Sequence, residues 1–366
     1  MEAAIERLAE RIRAHAARAA DGRAPLRIRA GGSKDFYGNE PRGDILDPRE
    51  LGGVIDYQPS ELVVTVRAGT SLAELEALLA GHRQMLAFEP PHFAPGATVG
   101  GCVAAGLAGP RRASSGTTFG GVRDFVLGAT LLDGRGDVLR FGGTVMKNVA
   151  GYDVSRLLAG SLGMLGVVLS VSLKVLPQPA EECTLQWPLG EAEALSRMRE
   201  WARQPLPVSA TLWADGVLSL RLAGASAAIT AARRRLGGAS LDPAAAQSLW
   251  RSVREQTHPG FDARRPLWRL SLPPAVAAVP LPAAALIEWS GAQRWLHSES
   301  PATEVRAVAR QLGGHATLFR AAAGASGARQ GVFTPLSAPL LAIHRNLRAQ
   351  FDPHGVFDAG RLVAEL

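Results

Sequence analysis

Ile5, Leu8 and Ile12 recur at helical spacing in an otherwise polar stretch, which predicts an amphipathic helix over residues 2–20, ended by Asp21-Gly22. Pro25-Leu26-Arg27-Ile28-Arg29 alternates instead, as a half-buried strand does, and runs directly into Ala30-Gly31-Gly32-Ser33-Lys34. Three short strands are predicted at 45–47, 53–57 and 62–69. A helix then starts after Ser71, an N-cap with Glu74 three residues on, and runs toward Leu79. Residues 125–134 and 138–141 read as a hairpin. Leu157–Leu176 reads as a glycine-interrupted loop followed by a buried strand, too broken for a membrane span. Past the boundary at Pro177-Gln178-Pro179 the pattern stays mixed, with a strand at 218–222 and a helix at 227–236. A Pro/Ala-rich surface connection is expected at 272–285 and a mobile loop at 324–331. Many short strands among few helices predict an α+β fold, not a doubly wound sheet.

A chain of 366 residues is long for one core and suggests about two domains. With 47% hydrophobic and 20% charged residues it is a folded protein, not a disordered one. The formal charge of +7 is spread along the chain with no basic run interleaved with aromatics, so nucleic acid is not an expected partner. Lysine occurs only at Lys34, Lys147 and Lys174, the first two in Gly-rich loops where an ammonium and a guanidinium are not equivalent. Cys102 and Cys183 give neither a disulfide framework nor metal-ligand spacing, and suit a reducing compartment. The early Glu2, Glu6 and Glu10 and the lack of an apolar core argue against a secretory signal, so the expected location is cytoplasmic, with any membrane contact peripheral.

Two segments carry candidate chemistry. The run from Ala97 to Gly109, followed by Pro110-Arg111-Arg112, is built of tiny residues, which let backbone approach a pyrophosphate or a flat ring. The same composition also describes a small-residue helix packed tightly on a neighbour. Ala30-Gly31-Gly32-Ser33-Lys34 has neither Walker nor Gly-x-Gly-x-x-Gly spacing, which leaves a nest of backbone amides as its means of holding a phosphate.

Taken with Val122-Arg123-Asp124-Phe125 and Met146-Lys147-Asn148-Val149-Ala150-Gly151-Tyr152-Asp153, these segments resemble the FAD-binding oxidoreductases of the vanillyl-alcohol-oxidase type. Glu89-Pro90-Pro91-His92, Gly313-Gly314-His315-Ala316-Thr317, Asp352-Pro353-His354-Gly355 and Gly360-Arg361-Leu362 are similar, within that family, to flavin subunits of bacterial glycolate oxidase complexes. The resemblance implies an FAD-binding domain at 1–178 made of two α+β subdomains, a substrate-side cap at 179–330, and a segment at 331–366 that returns to the FAD domain. It implies that Gly31, Gly32, Ser33 and Lys34 face the pyrophosphate, with Ser115 and Gly116 closing on the phosphates. Thr98, Gly100, Gly101 and Val103 would run along the ribityl and flavin region, and Gly163, Gly166 and Val167 along the adenine end. No histidine stands in the first glycine loop or beside Cys102, so the FAD is expected to be noncovalent. Asp358-Ala359 stands where the family pattern has asparagine and proline.

Oxidation of a 2-hydroxy acid on a flavin needs a base for the hydroxyl proton and a cation for the carboxylate. The metal-binding histidine motif of related catalytic subunits is absent, and the eight histidines show no ligand spacing. His92, His315 and Tyr152 are the catalytic candidates, with Lys147, Arg111 and Arg112 as anion partners. The resemblance implies a second FAD-binding subunit and an iron-sulfur subunit as partners, with glycolate or a similar small acid as substrate. Tryptophans at 250 and 289–295 could mark partner contacts, although tryptophan is more often core. A self-sufficient flavin dehydrogenase and a purely structural subunit stay open as alternatives.

Overall fold

The computed structural model of the chain describes residues 2–18, 22, 24–113, 120–144, 152–277, 279, 284–322 and 331–366. Ser115, Gly116, Lys147 and most of the expected loop at 324–331 lie outside them.

Helix α1 (Glu2–Ala16) buries Leu8 and Ile12 as its spacing requires. Strand β1 (Leu26–Ile28) pairs in parallel with β2 (Asp44–Leu46). Strands β3 (Val54–Gln58) and β4 (Val63–Arg67) follow, then α2 (Leu72–Gly81), where the Ser71 side chain accepts the Glu74 amide, and the short β5 (Gln84–Met85). Next come α3 (Val99–Ala105), α4 (Val122–Phe125), the hairpin β6 (Val126–Leu132) and β7 (Val138–Gly142), β8 (Val167–Lys174) and β9 (Leu176–Pro177). Five of these strands form an antiparallel sheet in the order β3-β4-β8-β6-β7.

Strand β8 is central, and its apolar run VVLSVSLK is buried on both faces. Val168, Val171 and Leu173 join the core shared with α2 and α3, whereas Val167 and Leu169 point to the core under α1. Alternation sends adjacent Val167 and Val168 to opposite faces, and the register shift between Thr130 and Leu131 puts Val171 and Leu173 on the side of Val168.

The rest of the chain builds an eight-stranded antiparallel sheet. Its strands are β10 (Glu181–Pro188), β11 (Val208–Ala214), β12 (Val217–Gly224), β13 (Ala239–Ser240), β14 (Leu267–Ser271), β15 (Leu286–Glu288), β16 (Gln293–His297) and β17 (His315–Arg320). They lie in the order β13-β10-β12-β11-β15-β16-β14-β17. Helices α5 (Glu191–Trp201) and α6 (Ser226–Leu236) pack with β10 and β12, α7 (Pro243–Arg254) supplies Trp250 and Val253 to a second core, and α8 (Ala302–Gln311) covers β14 and β17. The tryptophans at 250, 289 and 295 are all buried, and Trp250 donates to Thr184 Oγ1 at 2.9 Å, so they pack the interior and do not mark a partner surface.

After β17 the chain returns to the first half through α9 (Ala338–Phe351). Phe351 enters the β-sheet core there, Val356 and Phe357 enter the α1 core, and the Leu26 amide donates to the Val356 carbonyl at 2.7 Å. The last residues thus reach back to the strand that opens the glycine turn.

Candidate functional site

β1 delivers the chain into the Gly31-Gly32-Ser33-Lys34 turn, and packing dictates both glycines. A Cβ on Gly31 would stand 1.4 Å from the Gly96 carbonyl oxygen. Gly32 has φ +71°, a left-handed conformation that a side chain disfavours. The turn leaves the four amides of residues 31–34 donating to no described residue, whereas the Asp35 amide donates to the Gly32 carbonyl and that of Tyr37 to the Lys34 carbonyl. Consecutive free N–H groups on a concave turn are an anion-binding set.

Lys34 completes that set. Its side chain is buried, its Nζ reaches Ser33 Oγ and the His92 carbonyl only at 3.4 Å, and it stands 5.6 Å from the centre of the Phe93 ring. Burial lowers its pKa from the ordinary lysine value, against the opposing pull of Cys102 and Glu255. Its donor capacity is therefore held out of bulk water.

The turn is braced from the C-terminal segment. Arg361 donates to the carbonyls of Lys34 at 3.0 Å and Tyr37 at 3.2 Å, and Arg29 pairs with Asp35 at 2.5 Å. Arg361→Ala is expected to weaken retention of the turn's ligand by about tenfold, the worth of a charge-assisted bond pair, measured by flavin titration. An unchanged affinity would make the brace incidental.

The facing wall is α3. Thr98 caps it by accepting the Gly101 amide at 3.2 Å, and the Gly100 amide donates to the Ala68 carbonyl at 2.7 Å, so these donors are already used. Gly100 and Gly101 contribute smallness instead; a Cβ on Gly100 would lie 2.6 Å from that of Ala68. The segment is thus both things its composition allowed, a tightly packed helix and a ligand wall. Gly100, Gly101, Ala104 and Ala105 line the cleft, whereas Val99, Cys102 and Val103 turn to the core one helical face away. Val103 therefore does not line it, and Ala104 does. Val167 is displaced for the strand-parity reason given above, and Val168 takes its place beside Gly163 and Gly166. With Ile28 and Leu162 these groups line the cleft.

A sequence profile described as the FAD binding domain matches residues 7–142. Over 342 residues the chain is 47% identical to glycolate oxidase subunit GlcE of Escherichia coli, covering 93% of each protein. This chain belongs to the glycolate oxidase subunit GlcE family. It is also 31% identical to glycolate oxidase subunit GlcD of Bacillus subtilis over 166 residues, 44% of this chain and 34% of that protein. A D-lactate dehydrogenase of Archaeoglobus fulgidus is 32% identical over 190 residues, 50% of this chain and 41% of that protein. Among solved structures, an alkyldihydroxyacetonephosphate synthase superposes with a TM-score of 0.61 at 13% identity over 96% of this chain and 74% of its own, a likeness of fold. The GlcE-family chain is an FAD-dependent oxidoreductase subunit with the α+β fold expected, and its cleft suits FAD: four amides with no partner among the described residues and a buried ammonium for a pyrophosphate, small and apolar walls for the rest.

The catalytic candidates do not converge on this cleft. His92 Nε2 is tied to Glu76 at 3.0 Å, and the His92 and Phe93 amides both donate to Glu255. His315 opens the edge strand β17 and is exposed, and Tyr152 is 94% exposed. No histidine lines the cleft, and among the described residues no group of three or more His, Cys, Asp or Glu could hold a metal. Asp358 accepts the Arg42 amide at 2.7 Å.

What the motif around His92 positions is Glu89. Its carboxylate lies 2.9 Å from Arg221 Nη2 on β12 and 3.4 Å from Arg111 Nε, and it accepts the Arg111 amide at 3.0 Å. Burial raises its pKa, but Arg221 and Arg111 outweigh that and hold it below the ordinary carboxylate range. Arg111 also pairs with Glu182 on β10, so these four charges bind the two halves of the molecule together.

Glu288, at the end of β15, behaves oppositely. Burial pushes it up to about 7, against bonds from Trp295 Nε1 at 2.6 Å and Gln293 Nε2 at 3.1 Å, with Glu89 adding to the rise. A folded value above the unfolded one means the native state holds the extra proton: its stabilising effect is full below pH about 4.5 and is lost as pH rises through about 7. Glu288→Gln, neutral throughout, is expected to keep on the order of 3 kcal/mol that the native chain loses between acid and mildly alkaline pH. Parallel melting curves at pH 5 and pH 9 would refute this.

Proposed function

We propose that this GlcE-family chain is the flavin subunit of a glycolate oxidase complex, holding FAD noncovalently and passing electrons from glycolate oxidation toward an iron-sulfur subunit, beside a second FAD-binding subunit. The observation that carries this is a cleft with a built phosphate-binding set and no histidine. When bound, FAD supplies the capacity to accept an electron pair and release it. The amides of residues 31–34 and the Lys34 ammonium hold the pyrophosphate, Gly100 and Gly101 admit the cofactor close to backbone, and Arg361 keeps the turn in shape. Burial pushes the Cys102 thiol up to about 12, so it stays protonated and is no nucleophile toward a flavin, in keeping with noncovalent FAD. We assign cofactor binding to residues 1–178 and 331–366, and the cap to 179–330. A cytoplasmic location goes with this role, and any membrane contact is made through the complex; no helix among the described residues is long and apolar enough to cross a membrane.

In the assembled complex, His92→Ala and His315→Ala should each leave glycolate turnover close to that of the unmodified enzyme. A loss on the order of 100-fold in either, with FAD retained, is the size a missing general base produces. It would favour a self-sufficient dehydrogenase with that histidine as base.

A further inference from the structure

Glu255 caps the C-terminal end of α7, in the second half of the chain, and reaches into the loop that backs the glycine turn. Its Oε2 accepts two successive amides there, His92 at 3.0 Å and Phe93 at 2.8 Å. Neighbouring N–H groups turned toward one point form an anion nest, and here the anion is the protein's own carboxylate. Arg254 donates to the other oxygen, Oε1, at 2.8 Å, which keeps Oε2 directed at the loop. Phe93 has φ +60°, a conformation that a bulky side chain holds only where its surroundings impose it. Glu255 imposes it at the amide, and Phe36 packs edge-on against the ring, with centres 5.3 Å apart.

The peptide that joins His92 to Phe93 is held from both sides. It is trans, so its N–H and C=O point in opposite directions. The N–H goes to Glu255, and the C=O faces Lys34 Nζ at 3.4 Å. The Phe93 ring, 5.6 Å away, faces the same ammonium. A rotated peptide would turn an N–H toward Lys34 in place of an oxygen. Glu255 does not itself line the cleft, so its route to the cleft runs through this one peptide.

We propose that Glu255 is a positioning residue for the cofactor's diphosphate. It orients the 92–93 peptide, which in turn holds the Lys34 ammonium in the anion-binding turn. The second half of the chain thereby sets how tightly the first half keeps FAD. The proposal rests on the reading above that Lys34 faces the pyrophosphate; the clamp on the peptide rests on geometry alone.

The test is a double-mutant cycle read by FAD titration of the full chain, with native, Glu255→Ala, Lys34→Met and doubly substituted proteins. Each single substitution is expected to weaken FAD binding by about tenfold, the worth of a charge-assisted bond. The double variant should bind like Lys34→Met alone, within about twofold, because Glu255 acts through Lys34. Glu255→Gln, which keeps an acceptor oxygen for the two amides, should restore most of the affinity that Glu255→Ala loses. If Glu255→Ala fails to fold, Glu255→Asp, which keeps the charge but draws the oxygen back by one methylene, takes its place in the cycle. Losses that add to about a hundredfold in the double variant, native affinity in the Glu255 variant used for the cycle, or a Glu255→Gln chain as weak as Glu255→Ala would each overturn the positioning role while leaving Lys34 on the pyrophosphate. An affinity unchanged by Lys34→Met, or no FAD uptake by the native chain, would instead overturn the reading of the turn, and the proposal with it.

Discussion

Gly31→Ala is expected to abolish FAD retention, lowering affinity by at least about a hundredfold, or roughly 2.7 kcal/mol. The new Cβ would sit 1.4 Å from the Gly96 oxygen, which is backbone and cannot swing aside, so the turn must move away from the loop that leads into α3. Overpacking of this kind costs about 1–3 kcal/mol even where neighbours are flexible. The displaced part is the one that presents four amides. Gly52→Ala, where nothing lies within 4 Å, should leave the flavin in place. Equilibrium dialysis against FAD on both variants checks the pair, and equal retention by the two would show that the turn does not hold the cofactor.

The second large effect is on stability. Glu89→Ala takes the carboxylate partner from buried Arg221 and leaves buried Arg111 only Glu182, and breaking a buried pair by removing one partner costs about 3–5 kcal/mol. The loss should appear in urea unfolding of the FAD-free chain, with the transition of the C-terminal sheet separating from that of the first half, because Arg221 belongs to β12 and Glu89 does not. Glu89→Gln, which keeps one acceptor, should cost less. An exposed pair such as Arg7–Glu50 provides the contrast, since its removal should change stability by under about 1 kcal/mol. A Glu89→Ala chain as stable as the native one would mean that the two halves are joined by packing alone.

Local signals carried much of the fold into the sequence and little of its phase. The hairpin at 126–142, the Ser71 cap and the strand-to-glycine turn at 26–34 are short-range features, and each stands where the residues put it. Val103 and Val167 show the limit. Both lie in runs that are apolar or small on every side, so nothing local marks which face meets the cleft, and one residue's shift exchanges Val103 for Ala104 and Val167 for Val168. In the motif Glu89-Pro90-Pro91-His92 the buried ion pairs of the glutamate could not be read from the sequence, because Arg111 and Arg221 lie 22 and 132 residues away and only the fold brings them together. Arg361 was visible only as part of a terminal motif, and its bonds to the turn cross 327 residues. Glu288 carried no sequence signal at all.

The measurement that bears most directly on the central claim is the absorbance spectrum of the purified chain after incubation with FAD, recorded before and after anaerobic addition of glycolate. A flavin spectrum that stays oxidised until the partner subunits are added is the expected result for an electron-carrying flavin subunit. Rapid bleaching of the isolated chain would make it the catalyst, and absence of flavin absorbance would contradict the assignment of the cleft.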